Sequence, residues 1–168
     1  MNTTAPARQA RAGTGAQDRE ALVGVPAYAL PHRSPRELLA LAGQGLTEAT
    51  LTGPAGSRYA LAHLAALRAA AAVLAARARP DPTRRRRGRQ ASVWVLLAQV
   101  APELREWAAF FATAAVKRAA AEAGIPRVVT DREADDLVRD AQRFCEVVTT
   151  TLGASHQQSL DLTVPRAG

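Results

Sequence analysis

Residues 57–79, SRYALAHLAALRAAAAVLAARAR, are the stretch of this chain that decides its fold. The stretch is rich in Ala and Leu and contains neither Gly nor Pro, so it is strongly helical. On a helical wheel, one side carries a leucine stripe and the other carries small residues. The stripe is Leu61, Leu64, Leu67, Ala71 and Leu74, and the small side is Ala62, Ala65, Ala66, Ala69, Ala70, Ala72, Val73 and Ala76. Because a helix that is apolar nearly all round needs neighbours on several sides, we expect this to be the central helix of a bundle.

The composition favours helices over a sheet. With 168 residues the chain can form one domain with a sizeable core. Aromatic residues make up only 4% of it, so Leu, Ala and Val must build that core. No stretch shows the sustained alternation of a half-buried strand. The N-terminus lacks the pattern of a signal peptide, and the apolar run 69–76 is too short to span a membrane. We therefore expect a cytoplasmic protein that does not associate with membranes.

Start and stop signals divide the remaining chain into helices. Residues 34–37 and 130–133 each match a capping box, and Ser57 is expected to cap the central helix. Pro102 interrupts the third helical segment and predicts a kink or a restart. Residues 124–126, Gly-Ile-Pro, are a stop signal at the end of that segment.

These signals predict an all-α fold, an up-and-down bundle of four to five helices over residues 34–152. Residues 1–33 show no periodicity, and we expect them to be a flexible N-terminal arm. Gly153 is expected to end the last helix and to leave residues 153–168 as a flexible C-terminal tail.

Three segments resemble, in their order and helix lengths, an actinobacterial subfamily of the HEPN domain family. They are RYALAHLAALRAAAAVLAARARP, SVWVLLAQVAPELREWAAFFATAAVKRAAAEAG and TDREADDLVRDAQRFCEVV. The resemblance covers about residues 35–152. It implies a four- or five-helix bundle that often dimerises, so we expect a homodimer. Many HEPN proteins are metal-independent ribonucleases with an Arg-x4–6-His motif, whereas others bind RNA or nucleotides without catalysis or act as partners of other enzymes.

Arg58 and His63 have the spacing of that motif. Metal-free RNA cleavage needs a His with a pKa near neutrality to move a proton, and a cation to stabilise the transition state. Five helical residues turn through about 500°, so the two side chains point about 140° apart. The family motif also lies near the start of the last core helix, where this chain has Arg127 and Arg132 but no His. The alternative for His63 is a residue at the edge of the core whose ring nitrogen is satisfied locally.

The net charge of +7 is concentrated in residues 77–89, which contain seven Arg and one Asp. Within them we predict an arginine loop that binds phosphates, formed by Arg84, Arg85, Arg86, Arg87 and Arg89. Such contacts give a salt-sensitive affinity without sequence information. The alternative is a solvated loop that reflects a GC-rich genome, because Arg outnumbers Lys 21 to 1.

Arg68 falls inside the leucine stripe, where a charge must reach solvent or find a carboxylate. It either extends to solvent or points inward as part of an anion pocket. The three His residues and Cys145 are too scattered for a metal site, and no phosphate-binding glycine loop is present. We therefore expect neither a metal nor a cofactor.

The sequence predicts a non-catalytic module that binds RNA, another polyanion or a protein partner. One alternative is a metal-independent ribonuclease in which His63 is the acid/base and Arg58 the phosphate ligand. The other is a structural partner subunit.

Overall fold

The computed structural model describes residues 24–81 and 92–161, and for Tyr28 and residues 154–161 it describes the backbone only. The described chain forms five α-helices, α1 (Pro35–Leu51), α2 (Ala55–Arg77), α3 (Val93–Val100), α4 (Arg105–Glu122) and α5 (Asp131–Asp161). Two short strands, β1 (Gly24–Pro26) and β2 (Arg79–Asp81), pair in parallel. The predicted all-α helical bundle is therefore confirmed.

Helix α2 is the centre of the bundle, because it packs against α1, α3, α4 and α5. Most of its small side is fully buried, with Ala62, Ala65, Ala66, Ala69, Ala70, Ala72 and Val73 at zero exposure, whereas Ala76 near the end of the helix is exposed. The leucines Leu61, Leu64 and Leu67 are only half-buried. Small side chains on the buried face allow neighbouring helices to approach closely, since the distance between helix axes depends on the residues at the contact.

Helices α1 and α5 pack against α2 in opposite directions. Helix α1 runs antiparallel to α2 after the short loop 52–54, and α5 runs antiparallel to α1. In keeping with this direction, Leu39 and Thr149 line one cleft between α1 and α5, and Thr50 and Asp135 line a second cleft. The start of α5 therefore lies beside the start of α2.

The predicted capping boxes are present at both helix starts. Ser34 Oγ accepts from the Glu37 backbone N–H at 3.3 Å, and Thr130 Oγ1 accepts from the Glu133 backbone N–H at 3.2 Å. Each glutamate returns a bond to the backbone N–H of its partner. Gly124 follows α4 with φ of 74°, in the left-handed conformation of a helix stop.

Two predicted helix ends are wrong. Helix α2 begins at Ala55 after Pro54, so Ser57 lies inside the first turn and does not cap it. Proline at this point fixes the backbone before the helix and overrides the weaker signal of the serine. Helix α5 continues through Gly153 to Asp161, because a helical glycine costs only about 1 kcal/mol relative to alanine.

Strand β1 lies inside the segment predicted to be a flexible arm. Val25 is completely buried in a small cluster with Leu74 and Leu96. Its neighbours in β1 pair with Arg79 and Asp81 of β2. Strand β1, together with Ala29 and Leu30, thus belongs to the packed structure, and the part of the predicted arm up to residue 23 lies outside the described residues.

Helix α2 is also the one helix of the described chain that is long and apolar enough, by length and composition, to cross a membrane. Its contacts with the four other helices identify it as the core helix of the bundle.

Candidate functional site

An aromatic cluster fills the space between α3, α4 and α5. Trp94 stacks on Phe111 with ring centroids 5.2 Å apart, and Phe144 lies 5.2 Å from Phe111. Trp107 stacks on the same phenylalanine at 6.0 Å. Most of the few aromatic side chains of this chain therefore meet at one place, which fixes α4 against its neighbours.

His63 of α2 lies at the edge of this aromatic cluster. Only 1% of its surface is exposed, so it is deeper than the expected position at the edge of the core. Its ring meets Trp94 and Phe111 edge-on, with centroids 5.5 and 6.0 Å apart. Nε2 donates to the Phe111 carbonyl oxygen at 2.9 Å, because a carbonyl can only accept. This bond assigns the proton of the neutral ring to Nε2 and leaves a lone pair on Nδ1.

Arg118 of α4 occupies the other side of the ring. Its Nη1 lies 3.4 Å from His63 Nδ1, and its Nε and Nη2 donate to Glu122 Oε1 at 3.0 and 2.9 Å. Burial lowers the pKa of His63; the Arg118 charge lowers it further, while the Phe111 bond and Glu122 oppose the shift. The imidazole is therefore neutral at pH 7.

Arg118 is a site residue that no sequence signal identifies. Arg118 is seven residues beyond Phe111 and therefore lies on the same face of α4. This spacing predicts the shared face, but it does not predict contact with His63, which is 55 residues earlier in the sequence.

Arg58 lies in the first turns of α2 and contacts the α1–α2 loop and the start of α5. Its Nη1 donates to the carbonyl oxygens of Thr52, at 3.0 Å, and Gly53. Its Nη2 donates to Asp131 Oδ1 at 2.8 Å. Arg58 Nε is 3.0 Å from Asp135 Oδ1, but at an angle that gives it no hydrogen bond among the described residues. The guanidinium thus ties the α1–α2 loop to the start of α5.

The structure directs Arg58 and His63 to different neighbours. Arg58 faces the α1–α2 loop and α5, whereas His63 faces α4. No partner is common to both side chains in the described part of the chain. Their separation agrees with the divergence of about 140° expected of residues five apart on a helix. Their catalytic roles remain a prediction.

Arg68 has a backbone partner. Its Nη1 donates to the Leu41 carbonyl oxygen of α1 at 3.0 Å. The side chain crosses α1 at Gly45, where an added Cβ would lie 3.2 Å from Nη1. Arg68 therefore links α1 to α2, and its role in an anion pocket remains a prediction. The predicted phosphate-binding residues Arg84, Arg85, Arg86, Arg87 and Arg89 lie outside the described residues.

Two clefts lie between α1 and α5. The larger, about 400 Å³, is lined by Leu39, Gly43, Leu46, Gln142, Cys145, Glu146, Thr149 and Thr150. The smaller, about 240 Å³, is lined by Thr50, Arg58, Asp135, Val138, Arg139 and Gln142. Burial raises the pKa of the Cys145 thiol to about 11, so this thiol is protonated and a poor nucleophile at neutral pH. Within residues 24–81 and 92–161 no cluster of His, Cys, Asp or Glu is arranged to hold a metal ion.

Comparison with known proteins identifies the family. The family model described as SAV_6107-like HEPN matches residues 49–149, from the end of α1 into α5. Searches of curated proteins and of solved structures gave no match. The matched region is more than half of the chain and contains α2, α3 and α4 completely. The chain therefore belongs to the HEPN domain family.

Proposed function

We propose that this HEPN-family chain is a non-catalytic binding module whose ligand is RNA or another polyanion. The observation that carries the proposal is the distribution of charge. Residues 77–89 hold seven Arg and one Asp, a formal charge of +6 out of +7 for the whole chain. Such a concentration of arginine attracts phosphates and releases their counterions.

Several cations of the described bundle are paired with carboxylates, and Arg68 and Arg105 donate to backbone carbonyls, which supports the arginine loop as the anion-binding surface. The carboxylate-paired cations include Arg58, Lys117, Arg118, Arg132, Arg139 and Arg143, and also Arg77 at the start of the segment 77–89. In the sequence the arginines of the loop lie between β2 and α3, both of which belong to the described structure.

The state of His63 supports the non-catalytic part of the proposal. A general acid or base must come within hydrogen-bond distance of the substrate. His63 is 1% exposed and both of its ring nitrogens face protein groups. Arg58, the other member of the motif, is bonded to two backbone carbonyls and an aspartate.

The second candidate function is a metal-independent ribonuclease, which the spacing of Arg58 and His63 and the family membership favour. RNA cleavage in EDTA by the wild-type protein, lost in His63→Ala, would establish it and would overturn the non-catalytic proposal. We further propose that the protein acts in the cytoplasm as a homodimer. If no polyanion binds, a structural role with a protein partner becomes the leading function.

Fluorescence anisotropy with labelled single-stranded RNA over a series of salt concentrations tests polyanion binding. A variant with Arg84, Arg85, Arg86 and Arg87 all changed to Gln should bind more weakly. Its slope of log K against log salt should fall by up to about 3, since each phosphate contact on a single strand contributes about 0.7.

A matched control removes four exposed arginines outside the loop, in the variant Arg33→Gln, Arg36→Gln, Arg105→Gln and Arg127→Gln. It carries the same net charge as the loop variant and should retain most of the affinity. Equal losses in the two variants would show that net charge alone binds RNA, and would overturn the assignment to the loop.

A further inference from the structure

The contact between α2 and α4 contains an ionisable network of His63, Arg118 and Glu122, which we call the His63 network. His63 is buried, whereas the Arg118 side chain is 23% exposed and that of Glu122 is 49% exposed. His63 Nε2 donates to a carbonyl of α4, and its Nδ1 faces the guanidinium of Arg118 at 3.4 Å. Arg118 in turn donates twice to Glu122. With a neutral imidazole, the one cation and the one carboxylate of the network compensate each other.

Protonation of His63 would disrupt this arrangement at a single atom. The added proton would go to Nδ1 and convert it from an acceptor into a donor. Two donors, each on a cation, would then face each other across 3.4 Å in a partly buried site. Arg118 would have to leave, or the ring would have to turn away from the Phe111 carbonyl.

We propose that the His63 network is an acid-sensitive switch that holds α4 on α2 while His63 is neutral and loosens α4 when His63 binds a proton. Arg118 and Glu122 are positioning residues in this switch, because they affect the contact between α2 and α4 through the imidazole of His63. The inference does not depend on polyanion binding by the arginine loop.

Among the ionisable groups around the network, His63 is the one whose charge can change near neutral pH. Helix α4 contributes Arg118, Glu122 and Lys117, and Lys117 is paired with Glu133 of α5. On α2, burial raises the pKa of Tyr59, one turn before His63, so that this phenol remains neutral. Helix α3, which supplies Trp94, has no ionisable side chain.

An NMR titration of the imidazole nitrogens in the full chain tests the switch. Removal of the Arg118 cation in Arg118→Gln should raise the protonation midpoint of His63, and removal of the carboxylate in Glu122→Gln should lower it. A histidine that only fills space would show neither shift. Midpoints that move together, or do not move, would overturn the proposal.

Amide hydrogen exchange and urea unfolding between pH 7 and pH 5.5 test the consequence. After correction for intrinsic rates, exchange in residues 111–122 should accelerate at the lower pH, while exchange in the buried part of α5 changes less. The unfolding equilibrium constant should rise by up to about eight-fold, the limit for a histidine that protonates at a pKa of about 6.5 in the unfolded chain only.

The variant His63→Gln keeps an N–H donor for Phe111 but cannot titrate, so it should lose this dependence on pH. The double variant His32→Gln and His156→Gln is the matched control and should retain it. An unchanged dependence in His63→Gln would overturn the proposal. If that variant does not fold, the opposite midpoint shifts in Arg118→Gln and Glu122→Gln remain a complete test.

Discussion

Arg58 Nη2 and Asp131 Oδ1 lie 2.8 Å apart and join positions 73 residues distant in the sequence. The arginine is 13% exposed, whereas the aspartate is 83% exposed. The ion pair itself is therefore well screened by solvent and weak. The stronger part of the contact is the pair of bonds from Arg58 to the backbone carbonyls of Thr52 and Gly53, which hold the α1–α2 loop.

Arg58→Met should therefore cost much more than Asp131→Asn. Methionine keeps the apolar stem but leaves the loop carbonyls without their donor, at about 1–3 kcal/mol of the free energy of unfolding. Asp131→Asn should cost less than about 1 kcal/mol. Urea denaturation of the two single variants and the double variant measures both effects. Equal costs would show that the ion pair, and not the loop contact, dominates.

Two glycines of α1 provide a matched pair of substitutions. Nothing lies within 4 Å of a Cβ at Gly43, so Gly43→Ala should stabilise the protein by about 1 kcal/mol through helix propensity. A Cβ at Gly45 would lie 3.2 Å from Arg68 Nη1 and would displace the arginine from the Leu41 carbonyl. Gly45→Ala should therefore be neutral or destabilising.

Thermal and urea unfolding of the two alanine variants check this contrast. Arg68→Met in the Gly45→Ala background removes the group that meets the new Cβ, so most of the helix-propensity gain should return. The same stabilisation in both single alanine variants would contradict a close crossing of Arg68 over α1.

We expect the ionised carboxylate of Glu133 to contribute to the free energy of unfolding and to lose that contribution in acid. Hydrogen bonds from Lys117, and then from Thr130, lower the pKa of its carboxyl from 4.5 to about 2. Because the folded-state pKa is the lower one, the contribution is fully present above pH 4.5 and is lost as the pH falls toward 2. The stability difference between wild type and Glu133→Gln should shrink over that window in urea titrations. A constant difference from pH 6 to pH 2.5 would show that the charge of Glu133 is unimportant.

Local signals predicted the helices well, because caps and breakers act within a few residues. The boxes at Ser34 and Thr130 and the interruption at Pro102 all appear in the structure. Partners of the candidate site residues could not be predicted in this way. Periodicity shows that Arg58 and His63 point apart, but the acceptors of Arg58 and the position of Arg118 depend on how α4 and α5 pack.

The choice of the buried face of α2 also depended on packing. Its leucine stripe and its alanine side are both apolar, so hydrophobicity alone does not rank them. Most of the alanine side is completely buried, since α2 has neighbours on several sides and small residues let those helices approach; Ala76 is exposed and Leu74 of the stripe is buried.

Phe110 and Phe111 show the same limit at adjacent positions and give a final prediction. Phe111 is completely buried and touches Trp94, Trp107 and Phe144, while Phe110 is 42% exposed. Phe111→Ala should cost about 3–5 kcal/mol, since it leaves a cavity that the surrounding rings cannot fill. It should also shift the tryptophan fluorescence to longer wavelength, because Trp94 and Trp107 lose their stacking partner.

Phe110→Ala is the matched control for that substitution. Its ring already contacts solvent and packs mainly edge-on against Trp107 and Phe111, so its loss should cost less than about 2 kcal/mol. Urea unfolding followed by tryptophan fluorescence and by circular dichroism measures both variants. A larger loss of stability in Phe110→Ala than in Phe111→Ala would mean that α4 is rotated so that Phe110, and not Phe111, faces the bundle core. In that case the Phe111 carbonyl could not accept from His63, and the His63 network would not form.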